Sequence, residues 1–357
     1  MSESTNLLVG EDDEVPQKRP KTHQSVQCSV QVKIESLPEC LLLLIFARLE
    51  QVTDKCSVAR TCRSWNRIAK DAVLWKDYAL QETKSDFTTV RTFIASGLGS
   101  CLIDLDLQTF SSQSDFLYNK KVWPSFSNLE RLRISSIDLR LLDFELLPSS
   151  LKSLTIYTDD HVTESIPARV KCSQPVLPNL EYLEIEDSQD VFANDAIEEL
   201  HGLHFLLSSE HLHTVILKLM HYFFSLESLS KISKQLKNAR HICLHSNAIC
   251  DQRFKAFVSQ LENVQILNLQ FSEIEADMET LIVPSISNLK TLQEIYLSMF
   301  WELRPDHVKT MVKSLPELRR INVYRCRWIK EVHLNEIEKM REGLKCEFPR
   351  YMRLSLF

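Results

Sequence analysis

His241, Cys243 and His245 stand two residues apart. In an extended strand that spacing throws all three side chains to one face. Two imidazoles and a thiolate are ligand types for zinc. A closed site needs further donors from the flanking strands, where Lys218 and Asn268 offer little, so a polar recognition strand is the reading favoured here. His201, His204, His211 and His213 surround another segment with no second cluster to complete a site, and default to structural or surface roles. Cys243 or Cys250 as a nucleophile would need a neighbouring base and a lowered pKa, which no spacing supplies. The chain has 10 cysteines, scattered and without a Cys-x-x-Cys pair, which reads as free, reduced, buried thiols and favours cytosol or nucleus. With only 5 glycines, a phosphate-cradling loop has almost no raw material. No acid–base pair and no triad signature stand out, so the chain is expected to be non-enzymatic, with no cofactor and no metal.

The elements that would position such residues repeat. Cores of the form apolar-x-x-apolar-x-apolar begin at Leu102, Leu129, Leu151, Leu180, Leu212, Ala239, Val264, Leu292 and Leu318, at separations of 22 to 32 residues. One match is worthless at this hydrophobicity. Nine in order have the period of a leucine-rich solenoid. Helix-like stretches at Ala196–Leu207, Leu226–Leu236, Phe254–Leu261, His307–Leu315 and Leu334–Met340 lie between them. Each unit therefore reads as strand, turn and returning helix, stacking into a parallel inner sheet with helices outside. Tyr351 to Leu356 reads as a last, edge-capping strand. Asp104 and Asp106 opposite Arg131 and Arg133 are expected to form cross-strand ion pairs worth about 0.2–1 kcal/mol each.

Ahead of the repeats, residues 1–33 are polar and expected to be a disordered arm. Glu11 to Glu14 is an acidic run where a secretory signal would need a basic start and an apolar centre. Lys18-Arg19-Pro20-Lys21 has the form of a basic import signal, although a merely solvated charge run reads the same way. Ser36-Leu37-Pro38-Glu39 spells a capping box for a helix running to about Leu49. Its residues are apolar around most of the circumference, so it must be covered on more than one side. A second helix from about Thr53 is expected to carry Val58, Cys62, Trp65 and Ile68 on one stripe. This unit of about 45 residues has more greasy surface than so small a body can bury, so something else must cover the remainder. The apolar run Cys40–Ala47 is far shorter than the ~20 residues a bilayer span needs. A net charge of −6 argues against nucleic acid. Neither membrane nor nucleic acid is an expected partner.

Leu37-Pro38, Ile45-Phe46, Leu49, Cys62-Arg63-Ser64-Trp65 and Leu74-Trp75, followed by the repeats, resemble the F-box/leucine-rich-repeat proteins, substrate receptors of cullin-based ubiquitin ligases. Lys55-Cys56 stand where that family usually has two aliphatics, and Thr61 replaces the usual Val. The resemblance implies an α/β architecture: a small all-helical F-box over 34–80, a linking helix or cap over 81–100, and an irregular repeat solenoid of about nine units over 101–357. The turn position that normally holds Asn or Cys is filled that way only at Asn247 and Cys326, so its hydrogen-bond ladder should be broken.

The resemblance also implies partners: a Skp adaptor, through it a cullin scaffold, and a protein substrate on the repeats. The residues expected at the adaptor are Leu37, Pro38, Leu41, Ile45, Phe46, Leu49 and Trp65, with Trp75 helping to hold the helices together. Those expected at the substrate are Tyr157, Tyr182, His241, Tyr296, Arg320, Asn322 and Tyr324. Tyr and Arg are side chains in which binding energy concentrates. The alternative reading is a protein-binding scaffold in which residues 34–78 merely cap the solenoid, with no ubiquitin chemistry. Localisation is expected to be cytoplasmic, nuclear or both.

Overall fold

The computed structural model describes residues 33–75, 79–81, 88–107, 119–137, 142–158, 176–187, 198–199, 202–219, 222–245, 252–270 and 277–347. The arm, its basic and acidic runs, Asn247 and the expected strand Tyr351–Leu356 lie outside them.

Three short helices open the described chain: α1 (Glu39–Ala47), α2 (Val52–Thr61) and α3 (Arg63–Ala69). The expected capping box does not form. Ser36 ends a 3-10 turn and its hydroxyl donates to the Lys33 carbonyl at 2.7 Å, Pro38 takes the N-cap position, and Glu39 pairs with Arg67 of α3. Nor do residues 53–69 form one helix. Cys62 is extended (φ −154°) and its sulfur accepts the Trp65 amide at 3.5 Å. A thiol thus acts as the cap that restarts the helix, and Cys62 sits exposed, off the stripe with Val58 and Ile68.

The unit is stitched from within. Phe46 meets Trp65 edge-on at 5.2 Å, and the Asn66 side-chain amide donates to the Ala59 carbonyl at 2.8 Å and the Ser96 carbonyl at 3.3 Å. Trp75 is fully buried, donates its indole N–H to the Ala69 carbonyl at 2.7 Å and packs edge-on against Phe93 of α4 (Thr88–Ala95) at 4.9 Å. Lys55 stands in for an aliphatic by lying over the Trp75 ring at 5.4 Å and donating to the Leu74 carbonyl at 3.2 Å. Burial pushes its ammonium pKa down.

The repeats, with one strand that precedes α4, build one eleven-stranded parallel sheet. The nine cores give β2 (Asp104–Leu107), β3 (Arg131–Ile137), β4 (Ser153–Thr158), β5 (Tyr182–Asp187), β7 (Thr214–Lys218), β9 (His241–His245), β10 (Ile266–Gln270), β11 (Glu294–Ser298) and β12 (Arg320–Tyr324). β1 (Ala79–Gln81) and β13 (Lys345–Glu347) flank them. A separate parallel pair joins β6 (Glu198–Glu199) to β8 (Tyr222–Phe223). Because side chains alternate along a strand, the second and third apolar positions of every core, such as Leu132 and Ile134 or Ile295 and Leu297, are buried beneath the sheet.

The returning elements are less regular than expected. The second and third units use 3-10 turns, Trp123–Phe126 and Phe144–Leu146. Later units use α5 (Leu203–Leu206), α6 (Leu226–Gln235), α7 (Gln252–Val258), α8 (Val283–Ser287, preceded by a π-helical turn), α9 (Pro305–Ser314) and α10 (Glu331–Glu338). The expected helix over Ala196–Leu207 shrinks to α5, because β6 takes up Glu198 and Glu199 and Gly202 (φ +84°) precedes the first helical residue.

A hydrogen-bond ladder does exist, on the opposite rim from the one the repeat consensus suggests. Asn128, Asn179, Asn238 and Asn263 each stand directly before the first apolar residue of a core. Each donates its side-chain amide to a carbonyl of the preceding unit, at Ser100, Ser149, Glu210 and Lys237, over 2.8–3.3 Å. Thr291 makes the equivalent contact to the Glu262 carbonyl at 3.1 Å. At Gly99 the backbone of the first unit runs against that of the second so closely that a β-carbon would strike the Ser125 carbonyl. Gly99→Ala is expected to destabilise the chain by about 2 kcal/mol through forced backbone displacement. Urea unfolding of the variant should show an earlier midpoint, and an unchanged midpoint would mean that the contact yields freely.

Candidate functional site

Helix α1 splits into two apolar stripes. Leu42 and Phe46, at i and i+4, are buried in the core, while Leu41, Leu44 and Ile45, at i, i+3 and i+4, face outward. Residues at these spacings share one side of a helix. Leu44 is 63% exposed, and Val73, in the 3-10 turn that packs against α1, is 64% exposed. Ile34 adds a further exposed apolar side chain just ahead of the helix. Soluble surfaces rarely gather large aliphatics in this way unless a partner covers them.

The residues expected at this surface separate accordingly. Leu41, Ile45 and Pro38 are exposed, Leu37 and Trp65 are half-buried against the core, and Leu49 is half-buried just beyond the helix. Phe46, at 2% exposure, is a correction: it serves the interior, holding α1 to Trp65, and presents nothing outward. Leu44 and Val73, exposed but not among the expected residues, join this surface, and the i, i+3 relation of Leu41 to Leu44 was the signal for Leu44.

The inner face of the sheet carries three rows of side chains in strict register. One runs Asp104, Arg131, Ser153, Tyr182, Thr214, His241, Ile266, Glu294, Arg320. The second runs Asp106, Arg133, Thr155, Glu184, Ile216, Cys243, Asn268, Tyr296, Asn322, and the third includes Tyr157, Glu186, Lys218, His245, Ser298 and Tyr324. The residues expected to meet a substrate therefore fall into two groups four strand spacings, or ~19 Å, apart. Tyr157 and Tyr182 belong to one, and Tyr296, Arg320, Asn322 and Tyr324 to the other.

The face is largely self-neutralised. Asp104 and Asp106 take Arg131 at 2.8 Å and Arg133 at 3.3 and 2.9 Å, the expected ion pairs. Lys218 reaches Glu186 at 2.7 Å and Glu184 at 3.4 Å. Burial works against the Lys218 charge, yet the two carboxylates outweigh it and hold the ammonium above its usual range. The Tyr182 hydroxyl donates to Glu184 at 2.8 Å, and burial together with that carboxylate pushes its pKa up. In the second group Tyr296 donates to Glu294 at 2.7 Å, Arg320 meets the same carboxylate at 3.1 Å, and Asn322 reaches Glu347 at 3.5 Å.

Strand β9 corrects two expectations. His241, Cys243 and His245 do project together, but all five residues of the strand are buried, Cys243 to 3% exposure. His241 is thus not an open substrate contact, and the strand is not an exposed recognition strip. Burial pushes the Cys243 thiol up to about 12, and burial with the nearby Lys218 charge pushes His245 down to about 4. The thiol is protonated and the imidazole neutral at neutral pH, the reverse of what a nucleophile or its base requires. Among the described residues no group of three or more His, Cys, Asp or Glu is arranged to hold a metal ion.

Residues 34–81 match the F-box-like family model. The chain joins an F-box-like domain to a leucine-rich-repeat solenoid. Mouse and human F-box/LRR-repeat protein 12 are each 29% identical to it over 128 residues, covering 34% of this chain. The matched region spans 39% of the length of those relatives. Among solved structures, an internalin C2 of Listeria monocytogenes is similar at 13% identity and a TM-score of 0.32, over 56% of this chain and 82% of the internalin. The outward stripe of α1 and Val73 thus lie within the F-box-like domain, and the inner face and its rims belong to the repeats.

Proposed function

We propose that this F-box/leucine-rich-repeat chain is the substrate-recognition subunit of a cullin-based ubiquitin ligase. The F-box docks on a Skp-type adaptor through Leu41, Leu44, Ile45 and Val73, and the repeats hold a protein substrate. The chain supplies no reacting group. Its contribution is proximity, which raises the effective concentration of substrate lysines near a conjugating enzyme carried elsewhere in the assembly. The same reading places it in the cytoplasm or nucleus, where that machinery works.

The observation that carries this is the second apolar stripe of α1. Leu42 and Phe46 already satisfy the interior, so Leu41, Leu44 and Ile45 are surplus to the fold. The scaffold alternative draws on Trp75 and Phe93, through which the helical unit is fixed to the start of the array. A cap needs that contact, but it does not need an outward row of aliphatics. Size-exclusion chromatography of the full chain with a purified Skp-type adaptor tests the difference. The expected result is a stoichiometric complex that persists on dilution, and separate elution at all concentrations would favour the scaffold.

A further inference from the structure

Two consecutive units end in superimposable turns at the C-terminal end of the sheet. β11 and β12 pair up to Ser298 and Tyr324, and the next residues, Met299 (φ +62°) and Arg325 (φ +52°), both enter the left-handed region. Phe300 and Cys326 then plunge into the core, as do Leu303 and Ile329. Each turn closes with the same 3.2 Å bond, Leu303 N–H to the Phe300 carbonyl and Ile329 N–H to the Cys326 carbonyl. The tips between these anchors are Trp301-Glu302 and Arg327-Trp328, one strand spacing of about 4.8 Å apart.

Both tryptophans are turned outward, 40% and 46% exposed. Arg327 lies 5.2 Å from the Trp328 ring centre and Arg325 5.2 Å from that of Tyr324. Nearly every charge on the inner face is matched across strands, yet among the described residues neither Arg325 nor Arg327 has a carboxylate within 4.0 Å. Two guanidiniums 5.2 Å from the centres of aromatic rings, with no carboxylate partner of their own among the described residues, are suited to receive carboxylates in bidentate fashion. The neighbouring indoles offer flat apolar area at little entropic cost, and exposing them does nothing for the core.

We infer that this rim docks an acidic segment of a protein partner, one that interleaves Asp or Glu with aromatic or apolar residues. This rests on the reading of the repeats as the protein-holding part, and it moves the centre of recognition from the inner face to the turns beside Tyr324. Carboxylates of the segment engage Arg325 and Arg327, and its apolar side chains lie on Trp301 and Trp328.

Fluorescence anisotropy of the full chain with a labelled synthetic peptide of Asp, Glu and Tyr tests the assignment. The expected result is affinity at least about tenfold above that for the matching Asn, Gln and Tyr peptide, falling as salt is added. The pair Arg325→Glu and Arg327→Glu should abolish that preference and favour a Lys and Tyr peptide. Trp301→Ala with Trp328→Ala should weaken every peptide, with the circular dichroism of all variants unchanged. Equal binding of the acidic and amide peptides by the parent chain, acidic binding that survives charge reversal, or binding of phosphorylated peptides alone would overturn the proposal. A protein substrate retained by the charge-reversed chain but lost on Arg320→Ala would overturn the rim and leave the receptor reading standing. Failure of the parent chain to bind a Skp-type adaptor would do the opposite.

Discussion

Leu44→Asp is expected to release the chain from a Skp-type adaptor while leaving its fold intact. Leu44 is 63% exposed on the outer stripe of α1, and substitution at such a site changes stability by about 0.5 kcal/mol or less. In a covered interface the change is far larger. Loss of a buried leucine forfeits about 1.5–3 kcal/mol, and an unpaired carboxylate sealed in its place adds a desolvation penalty of about 2 kcal/mol or more. A total near 4 kcal/mol is roughly a thousandfold in affinity. Titration calorimetry of parent and variant against the adaptor gives the comparison, with the unfolding midpoint as the control. Phe46→Ala should invert the pattern, with stability falling first, because Phe46 is interior. Equal adaptor affinity in the Leu44→Asp chain would remove α1 from the interface.

Acid is expected to loosen the middle of the solenoid through His245. Burial and the charge of Lys218 hold its folded pKa near 4, against 6.5 when the chain is open; a bond with Asn268 works weakly the other way. The Cys243 sulfur, 3.3 Å from Nε2, completes its surroundings. Above pH 6.5 the ring is neutral in both states and costs nothing. As pH falls the unfolded chain takes up a proton that the folded chain refuses, so stability declines from about pH 6.5 to about pH 4, by on the order of 3 kcal/mol in all. His241 and His204, whose pKa values burial also lowers, act in the same direction. Denaturation of the parent and of His245→Phe at pH 7 and pH 5 isolates the effect. The parent should lose about 2 kcal/mol between them and the variant distinctly less, and equal losses would clear His245 of the role.

Much of this architecture could be read from residue order, and the failures share causes. All nine cores became strands because each has an apolar pair two apart, a spacing that only an extended chain buries on one side. Asp104 and Arg131 paired as expected because register follows from that same repeat. Helix boundaries fared worse at Cys62, where a sulfur substitutes for the usual oxygen cap. For α1 the difficulty was different. A helix greasy on all sides carries no mark of which side turns inward, so Phe46 was given to the partner and Leu44 overlooked. His241 was misjudged because alternation tells which face a side chain takes, and says nothing about how deep it sits there. The asparagine ladder was legible all along, since Asn128, Asn179, Asn238 and Asn263 each immediately precede a core.

The contact of Trp75 with Phe93, together with the pairing of β1 to β2, ties the proposed docking unit directly to the start of the proposed recognition array. As the proposed receptor, the chain would work as a lever whose angle is set when it folds. Under the proposed reading, cargo held at the far turns would sweep no arc, and the number of units stacked between the two ends would decide which of its lysines come within reach. Inserting or deleting one unit is therefore expected to shift the modified lysines without touching either proposed binding surface.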